Sequence, residues 1–438
     1  MTTREPTTAL FTDHYELTML EAALRSGAAS RRCVFEVFAR RLPEGRRYGV
    51  VAGTGRLVDA IGRFRFGDAE LERLQGVVDE PTLAFLADYR FDGDVWGYAE
   101  GECYFPGSPV LVVEADFAHG VVLETLVLSV LNHDSAVASA ASRMTAAAAG
   151  RPCIEMGSRR THEEAAVAAA RAAYVAGFET TSNLEAGRRH GVPTAGTAAH
   201  AFTLLHDDER EAFAAQIASL GPGTTLLVDT YDVHQAVRTA VQLAGPQLGA
   251  VRLDSGDLIT QAREVRRLLN DLGAPDTRIV VTSDLDEHAI AALGAAPVDR
   301  YGVGTSLVTG SGAPTAGMVY KLVAREDASG ALVGVAKRSK DKASVGGRKF
   351  ARRRRGPDGV AEAEVVGIGR APEDDGDDRS LLVPLLERGE VVDAGALSLE
   401  AARSRHTASR AELPPAALRL QKGEPAIPTV YLQEEAAV

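Results

Sequence analysis

Five apolar runs in this 438-residue chain end in residues that can do chemistry. Cys153–Met156 is followed by Gly157–Ser158–Arg159–Arg160, and Leu226–Val228 by Asp229–Thr230–Tyr231–Asp232. Val251–Leu253, with Arg252 inside the run, leads into Asp254–Ser255–Gly256–Asp257. Ile279–Val281 leads into Thr282–Ser283–Asp284, and Tyr301–Val303 into Gly304–Thr305–Ser306. Between the first two runs lies Ala195–Gly196–Thr197–Ala198–Ala199–His200.

Small residues that open a helix leave backbone N–H groups free, and the helix dipole favours an anion there. Ser283, Asp284, Gly302, Gly304 and Thr305 are therefore candidates for a 5-phosphate cradle. The same residue types also serve as plain helix caps. Asp254 and Asp257 face each other across a tight turn. One carboxylate can accept from both hydroxyls of a ribose while the other holds Mg2+ through water; the rival reading is an N-cap opening a helix at Leu258. Arg252 inside an apolar strand is costly unless it meets a carboxylate of protein or ligand. His200, alone of the ten histidines, has only small neighbours, which leave room for a ligand; a packed structural histidine fits the same pattern.

The elements that must position these groups follow from their spacing. Strand candidates at Thr225–Val228, Ala250–Leu253, Ile279–Val281 and Tyr301–Val303 alternate with Ala-rich amphipathic stretches at Val233–Leu243, Leu258–Leu272 and Leu285–Leu293. Cys153–Met156 with His162–Ala176 is an earlier unit of the same kind. That alternation predicts a parallel sheet built as a barrel or part of one, with an open doubly wound sheet as the alternative. No GxGxxG follows an early strand, which argues against a dinucleotide site. Val34–Ala39 and Val95–Glu100 read as antiparallel strands, and Val121–Ala148 as one long helix or two shorter ones. Past residue 345 the alternation fades into Gly/Asp-rich loops, with a last helix near Pro414–Leu420.

Composition bounds the class. Hydrophobic residues make 45% of the chain and charged residues 25%, the balance of a soluble globular protein. A net charge of −12 argues against nucleic acid as a partner. No apolar run is read as a membrane span, and Met1–Leu10 carries no signal-peptide core. Cys33, Cys103 and Cys153 suit neither a disulfide framework nor a metal site, so a reducing cytoplasm is expected. The basic run Arg352–Arg355 and the acidic Glu373–Asp378 read as a solvated, self-compensating surface.

Thr12–Met19, Phe35–Phe38, Gly157–Arg160, Gly196–His200, Arg252–Asp257 and Tyr301–Thr305, in that order over nearly the whole chain, resemble nicotinate phosphoribosyltransferase. The resemblance implies an α/β fold: an atypical, incomplete barrel of the type II phosphoribosyltransferase kind beside a second, sandwich-like α/β domain. Residues 1–118 and 346–438 would form that second domain, and residues 119–345 the barrel. It implies an ATP-dependent enzyme of NAD salvage that makes nicotinate mononucleotide and pyrophosphate from nicotinate and phosphoribosyl pyrophosphate. Mg2+ would come through pyrophosphate and water, and a head-to-tail homodimer would share its active sites.

By the same resemblance, Tyr15 stacks on the pyridine ring across the interface, and Arg159 and Arg252 hold the carboxylate and the sugar-phosphate end. Asp254 meets the ribose, with Ser283, Gly302, Gly304 and Thr305 around the 5-phosphate. His200 is the residue phosphorylated by ATP, and Asp229 orients it. Ser182 stands where the nicotinamide-using relative carries an acid, which favours nicotinate. Gly346–Gly347 departs from the family's Pro-Gly and leaves the order of Lys342–Lys349 open. The rival readings are the same reaction on nicotinamide or quinolinate, or a non-catalytic ligand-binding relative.

Overall fold

Six strands pair into one sheet: β1 (Cys153–Glu155), β2 (Thr180–Thr181), β3 (Thr225–Leu227), β4 (Ala250–Leu253), β5 (Arg278–Val281) and β6 (Arg300–Val303). Their order is β2-β1-β6-β5-β4-β3, and every neighbouring pair is parallel. Because β6 returns to pair with β1, the sheet is a barrel opened between β2 and β3. The connection spanning that opening carries the helices Leu184–His190, His200–Leu205 and Glu209–Leu220. Strands covered on both faces need unbroken apolar runs, and β1 and β4 are buried throughout.

Helices Glu163–Val175, Val233–Ala244 and Leu258–Asp271 follow β1, β3 and β4 as expected. Asp232 and Asp257 start the last two by accepting the N–H groups of Gln235 and Thr260. The helix expected at Leu285–Leu293 begins later, at Glu287, because Asp286 accepts the N–H groups of His288 and Ala289. Strand β2 has two residues, too few to show a period.

This computed structural model describes residues 6–337 and 344–432. It separates into two compact units, Val137–Pro314 and Met1–Ala136 with Thr315–Val438. Residues 119–136, 315–337 and 344–345, assigned above to the barrel, fall in the other unit. Leu123, Leu126, Val127, Val130 and Leu131 belong to that unit's core, and Met318–Glu326 pairs along the strand Arg32–Ala39. That unit holds a seven-stranded sheet whose neighbouring strands all run antiparallel, plus a four-stranded sheet.

Val121–Ala148, read as one long helix or two shorter ones, is the long helix Glu124–Ala147 preceded by the short helix Phe117–Val121. Phe117–Ala147 is, among the described residues, the one helical stretch long and apolar enough to cross a membrane; 67% of its most apolar window is buried in the fold, as suits a core helix. The region past 345 is no loop run. It carries strands Lys349–Arg355 and Ala361–Ile368 and the helix Leu399–Ala411, while Pro415–Leu418 is a single 3-10 turn.

The basic run is not wholly solvated either. Alternation along its strand turns Arg353 into the core beside Glu364 at 2.6 Å, and leaves Arg352 and Arg354 to pair with Asp374 and Asp378. Of Lys342–Lys349, Lys342 and Ala343 lie outside the described residues; Lys349 is buried against Glu36 at 2.7 Å, and its ammonium also donates to the Val345 carbonyl.

Candidate active site

The carboxyl ends of β3 and β4 and the segment entering the helix His200–Leu205 bring four of the expected residues together. His200 Nε2 stands 3.9 Å from Asp229 Oδ1 and 3.9 Å from Asp254 Oδ2, and its Nδ1 lies 3.1 Å from the Thr230 hydroxyl. Arg252 is anchored at one end of this cluster. Its guanidinium donates to Thr282 Oγ1 at 2.8 Å, Thr197 Oγ1 at 2.9 Å, the Ala198 carbonyl at 3.3 Å and Asp254 Oδ1 at 2.8 Å. The carboxylate that a strand arginine requires is therefore Asp254, and the bonds to Thr197 and Ala198 hold the segment that delivers His200. Four of the five guanidinium N–H groups are used.

Asp229 does two jobs with two oxygens. Oδ2 accepts the Asp254 N–H at 2.9 Å and the Ser255 hydroxyl at 2.7 Å, which fixes the β4 turn. Oδ1 is buried, has no hydrogen-bond partner among the described residues, and faces the imidazole. The Asp229 side chain is only 3% exposed, whereas that of His200 is 40% exposed. A buried acceptor without a donor is expensive, and a donor from a ligand or from the imidazole would relieve it. Burial would raise the Asp254 carboxyl, but the Thr282 hydroxyl and the Arg252 guanidinium, with His200 beyond, hold it below the usual carboxylate range.

Asp257 sits apart from this cluster in its bonding. Its oxygens accept the Thr260 N–H at 3.1 Å and the Thr260 hydroxyl at 2.7 Å, the arrangement of an N-cap. Ser283 and Asp284 follow β5, Gly302 lies within the adjacent β6, and Gly304 and Thr305 follow it. The expected free helix ends are modest there. The helical turn after Gly304 spans only Thr305–Val308, and the carboxylate of Asp286 already occupies the start of the helix after β5. Ser283 instead has a φ of +142°, a region that non-glycine residues rarely enter and that concentrates at functional sites. Gly302 has no room for a side chain: an added Cβ would lie 2.8 Å from Met156 Sδ and collide with Thr282.

Arg159 lies in the 3-10 turn Ser158–Arg160 after β1, exposed and without a hydrogen bond or ion pair among the described residues. Ser182 follows β2 and is also exposed. Their loops are joined: Asn183 Nδ2 donates to Ser158 Oγ at 3.0 Å, and the Ser182 N–H donates to the Glu155 carbonyl at 2.8 Å. Glu155, Thr197 and Thr282 are site residues that sequence reasoning did not single out. A polar residue at the end of a short apolar strand was the available signal for Glu155.

Tyr15 belongs to the other unit, 45% exposed on the helix His14–Ser26. The Thr12–Met19 stretch owes its local shape to Glu16. That fully buried carboxylate accepts the Thr12 hydroxyl at 2.5 Å and the Thr125 N–H at 3.0 Å.

A parallel barrel opened between two edge strands, with histidine, carboxylates and arginine gathered at the strands' carboxyl ends, defines a type II phosphoribosyltransferase fold. Residues 10–132 match the family model for the nicotinate phosphoribosyltransferase N-terminal domain. The nicotinate phosphoribosyltransferase pncB1 of Mycobacterium tuberculosis is 59% identical over 429 residues, 96% of this chain and 94% of that one. The crystal structure of human nicotinic acid phosphoribosyltransferase superposes with a TM-score of 0.81 at 28% identity, covering 96% of this chain and 97% of the human one. A nicotinate-nucleotide pyrophosphorylase of Pyrococcus furiosus shares the fold, with a TM-score of 0.75 at 24% identity over 94% and 98% of the two chains. The chain belongs to the nicotinate phosphoribosyltransferase family.

Proposed function

We propose that this enzyme joins nicotinate to phosphoribosyl pyrophosphate, releasing pyrophosphate and nicotinate mononucleotide for NAD salvage, and that ATP hydrolysis drives the step through a phosphorylated His200. The carrying observation is the unpartnered Asp229 Oδ1 facing a half-exposed imidazole, beside Asp254 and Arg252. An imidazole nitrogen attacks the γ-phosphorus of ATP, the bond to the β-phosphate oxygen breaks, and ADP leaves. Asp229 then holds the charged ring, and water later releases orthophosphate. Phosphoribosyl pyrophosphate binds more tightly to the phosphorylated form, and each ~1.4 kcal/mol of that preference is worth about tenfold.

In the transfer itself the pyridine nitrogen attacks the anomeric carbon and the bond to pyrophosphate breaks. The transition state is oxocarbenium-like, so placement and charge matter more than a strong base. The unpaired Arg159 suits the nicotinate carboxylate, and the neutral Ser182 leaves that carboxylate unrepelled. Asp254 meets the ribose, and Ser283, Asp284, Gly302, Gly304 and Thr305 surround the 5-phosphate. Mg2+ bound to pyrophosphate would offset the leaving group's charge, and Asp254 Oδ2 is the carboxylate oxygen suited to hold its water shell. Tyr15 completes the site of a second copy in a cytoplasmic homodimer.

Steady-state assays of nicotinate, nicotinamide and quinolinate, each with and without ATP, test the reading. Nicotinate turnover stimulated by ATP is expected, together with an acid-labile phosphate on His200 by mass spectrometry. Turnover of quinolinate in place of nicotinate would overturn it.

A further inference from the structure

Glu155 ends β1 with its side chain fully buried, and none of the steps above uses it. Its Oε1 accepts the Gly157 N–H, and its Oε2 accepts the Thr181 hydroxyl. Neither donor is a cation. Burial pushes this carboxyl up, and the hydrogen bonds from Thr181 and Gly157 act against that. Keeping a carboxylate here on two neutral donors is costly for the fold, so the position needs a reason beyond packing.

That reason lies in what the two donors belong to. Gly157 opens the turn that carries Arg159, and its position is tight. An added Cβ would lie 3.1 Å from the Gly304 carbonyl after β6 and would collide with Val308. Thr181 precedes Ser182, and its oxygen also accepts the Asn183 N–H at 2.9 Å. Asn183 in turn reaches Ser158 Oγ. The Thr181 backbone further pairs with Pro193 and Ala195, at the start of the segment leading to His200.

We propose that Glu155 is the positioning residue of the base pocket: through Gly157 and Thr181 it sets the separation between the loop bearing Arg159 and the loop bearing Ser182. The inference rests on the assignment of those two loops to nicotinate. A carboxylate is required because both incoming groups are donors. The Thr181 oxygen already accepts from Asn183, so its O–H must point at Glu155. Glutamine would present its own N–H there, donor against donor.

Glu155→Gln and Thr181→Val are expected to raise KM for nicotinate about tenfold, the scale of one hydrogen bond to a charged group, with kcat and KM for phosphoribosyl pyrophosphate held within about twofold. Thr181→Ser, which keeps the hydroxyl, is expected to retain the wild-type KM. The double variant Glu155→Gln with Thr181→Val is expected to raise KM by clearly less than the product of the two single effects, because both changes remove the Glu155–Thr181 bond. An unchanged nicotinate KM in the folded single variants would overturn the proposal. So would a parallel loss of both substrates' KM values and the melting temperature, which is what plain destabilisation produces. If the wild-type enzyme itself fails to use nicotinate, the functional reading fails instead, and the two failures are told apart by that control.

Discussion

Arg353 and Arg252 show how differently the two units treat a buried arginine. In the unit formed by the chain's two ends, Arg353 has no exposed surface and sits 2.6 Å from Glu364, 3.5 Å from Glu102 and 3.6 Å from Glu412. Arg379 closes that network, at 2.7 Å from both Glu102 and Glu412. In the barrel unit, Arg252 meets one carboxylate, Asp254, and neutral acceptors otherwise. Asp229 nearby keeps an oxygen without a donor. The first arrangement spends its charges on one another and stabilises a fold. The second leaves charge and space for a substrate, and the rest of the barrel must hold it in place.

The contrast predicts where substitutions will hurt. Arg353→Met, which strands buried carboxylates, is expected to cost about 3–5 kcal/mol in urea denaturation and to leave little folded protein for assay. A cost under about 1 kcal/mol would mean the network is no scaffold. Arg252→Ala is expected to cost about 1–3 kcal/mol by exposing Asp254's unmet bonding, and to raise KM for nicotinate by about tenfold or more. An unchanged KM would show that Arg252 serves only the fold.

Acid should act on the same unit as Arg353→Met. Asp134 is fully buried; burial opposes its charge, but Arg56 at 2.9 Å and His133 bring its carboxyl down to about 2. A depressed carboxyl stabilises the fold above its unfolded value near 3.8 and loses that contribution as pH falls towards 2. About 2 kcal/mol is expected to vanish across that window, with Asp134→Asn flattening the decline. An identical acid profile in both proteins would remove Asp134 from the explanation.

The smallest stability effects should fall at the open site. His200→Ala is expected to change stability by no more than about 0.5 kcal/mol, since the ring is half exposed. It should nonetheless abolish ATP stimulation, about 5–150-fold for a coupling of 1–3 kcal/mol. Asp229→Asn keeps the Oδ2 acceptor for Asp254 and Ser255 and replaces only the unpartnered oxygen. Its melting temperature is expected to hold or rise while the ATP effect is lost, the trade expected of a site held short of its best bonding. Undiminished ATP stimulation in either variant would separate the imidazole from the energy coupling.

Much of the barrel was legible beforehand because repeated strand-helix units leave a period in the sequence. The starts of β3, β4, β5 and β6 show it, and the Asp232 and Asp257 caps mark where helices begin. Strand β2 was missed because two residues have no period, and Lys349–Arg355 was missed because arginines fill its buried and its outward positions alike, so its alternation leaves no apolar period. Arg353 read as surface since a run of four arginines hides the two-residue alternation that buries one of them. Glu155 and Thr181 went unnoticed because their partnership crosses two strands that only the sheet brings side by side.

By itself, then, the amino-acid order determined the alternation of elements, the chemistry available at each strand end and the family resemblance, because these depend on local spacing and residue type. Only the tertiary structure decided which groups meet. Asp229 turns one oxygen to His200 and the other to the β4 turn, Asp257 is taken up as a helix cap, and Arg252 is anchored by Asp254, Thr282 and the His200 segment. Such choices depend on distances between strands that lie far apart along the chain, and those distances exist only once the sheet has curled.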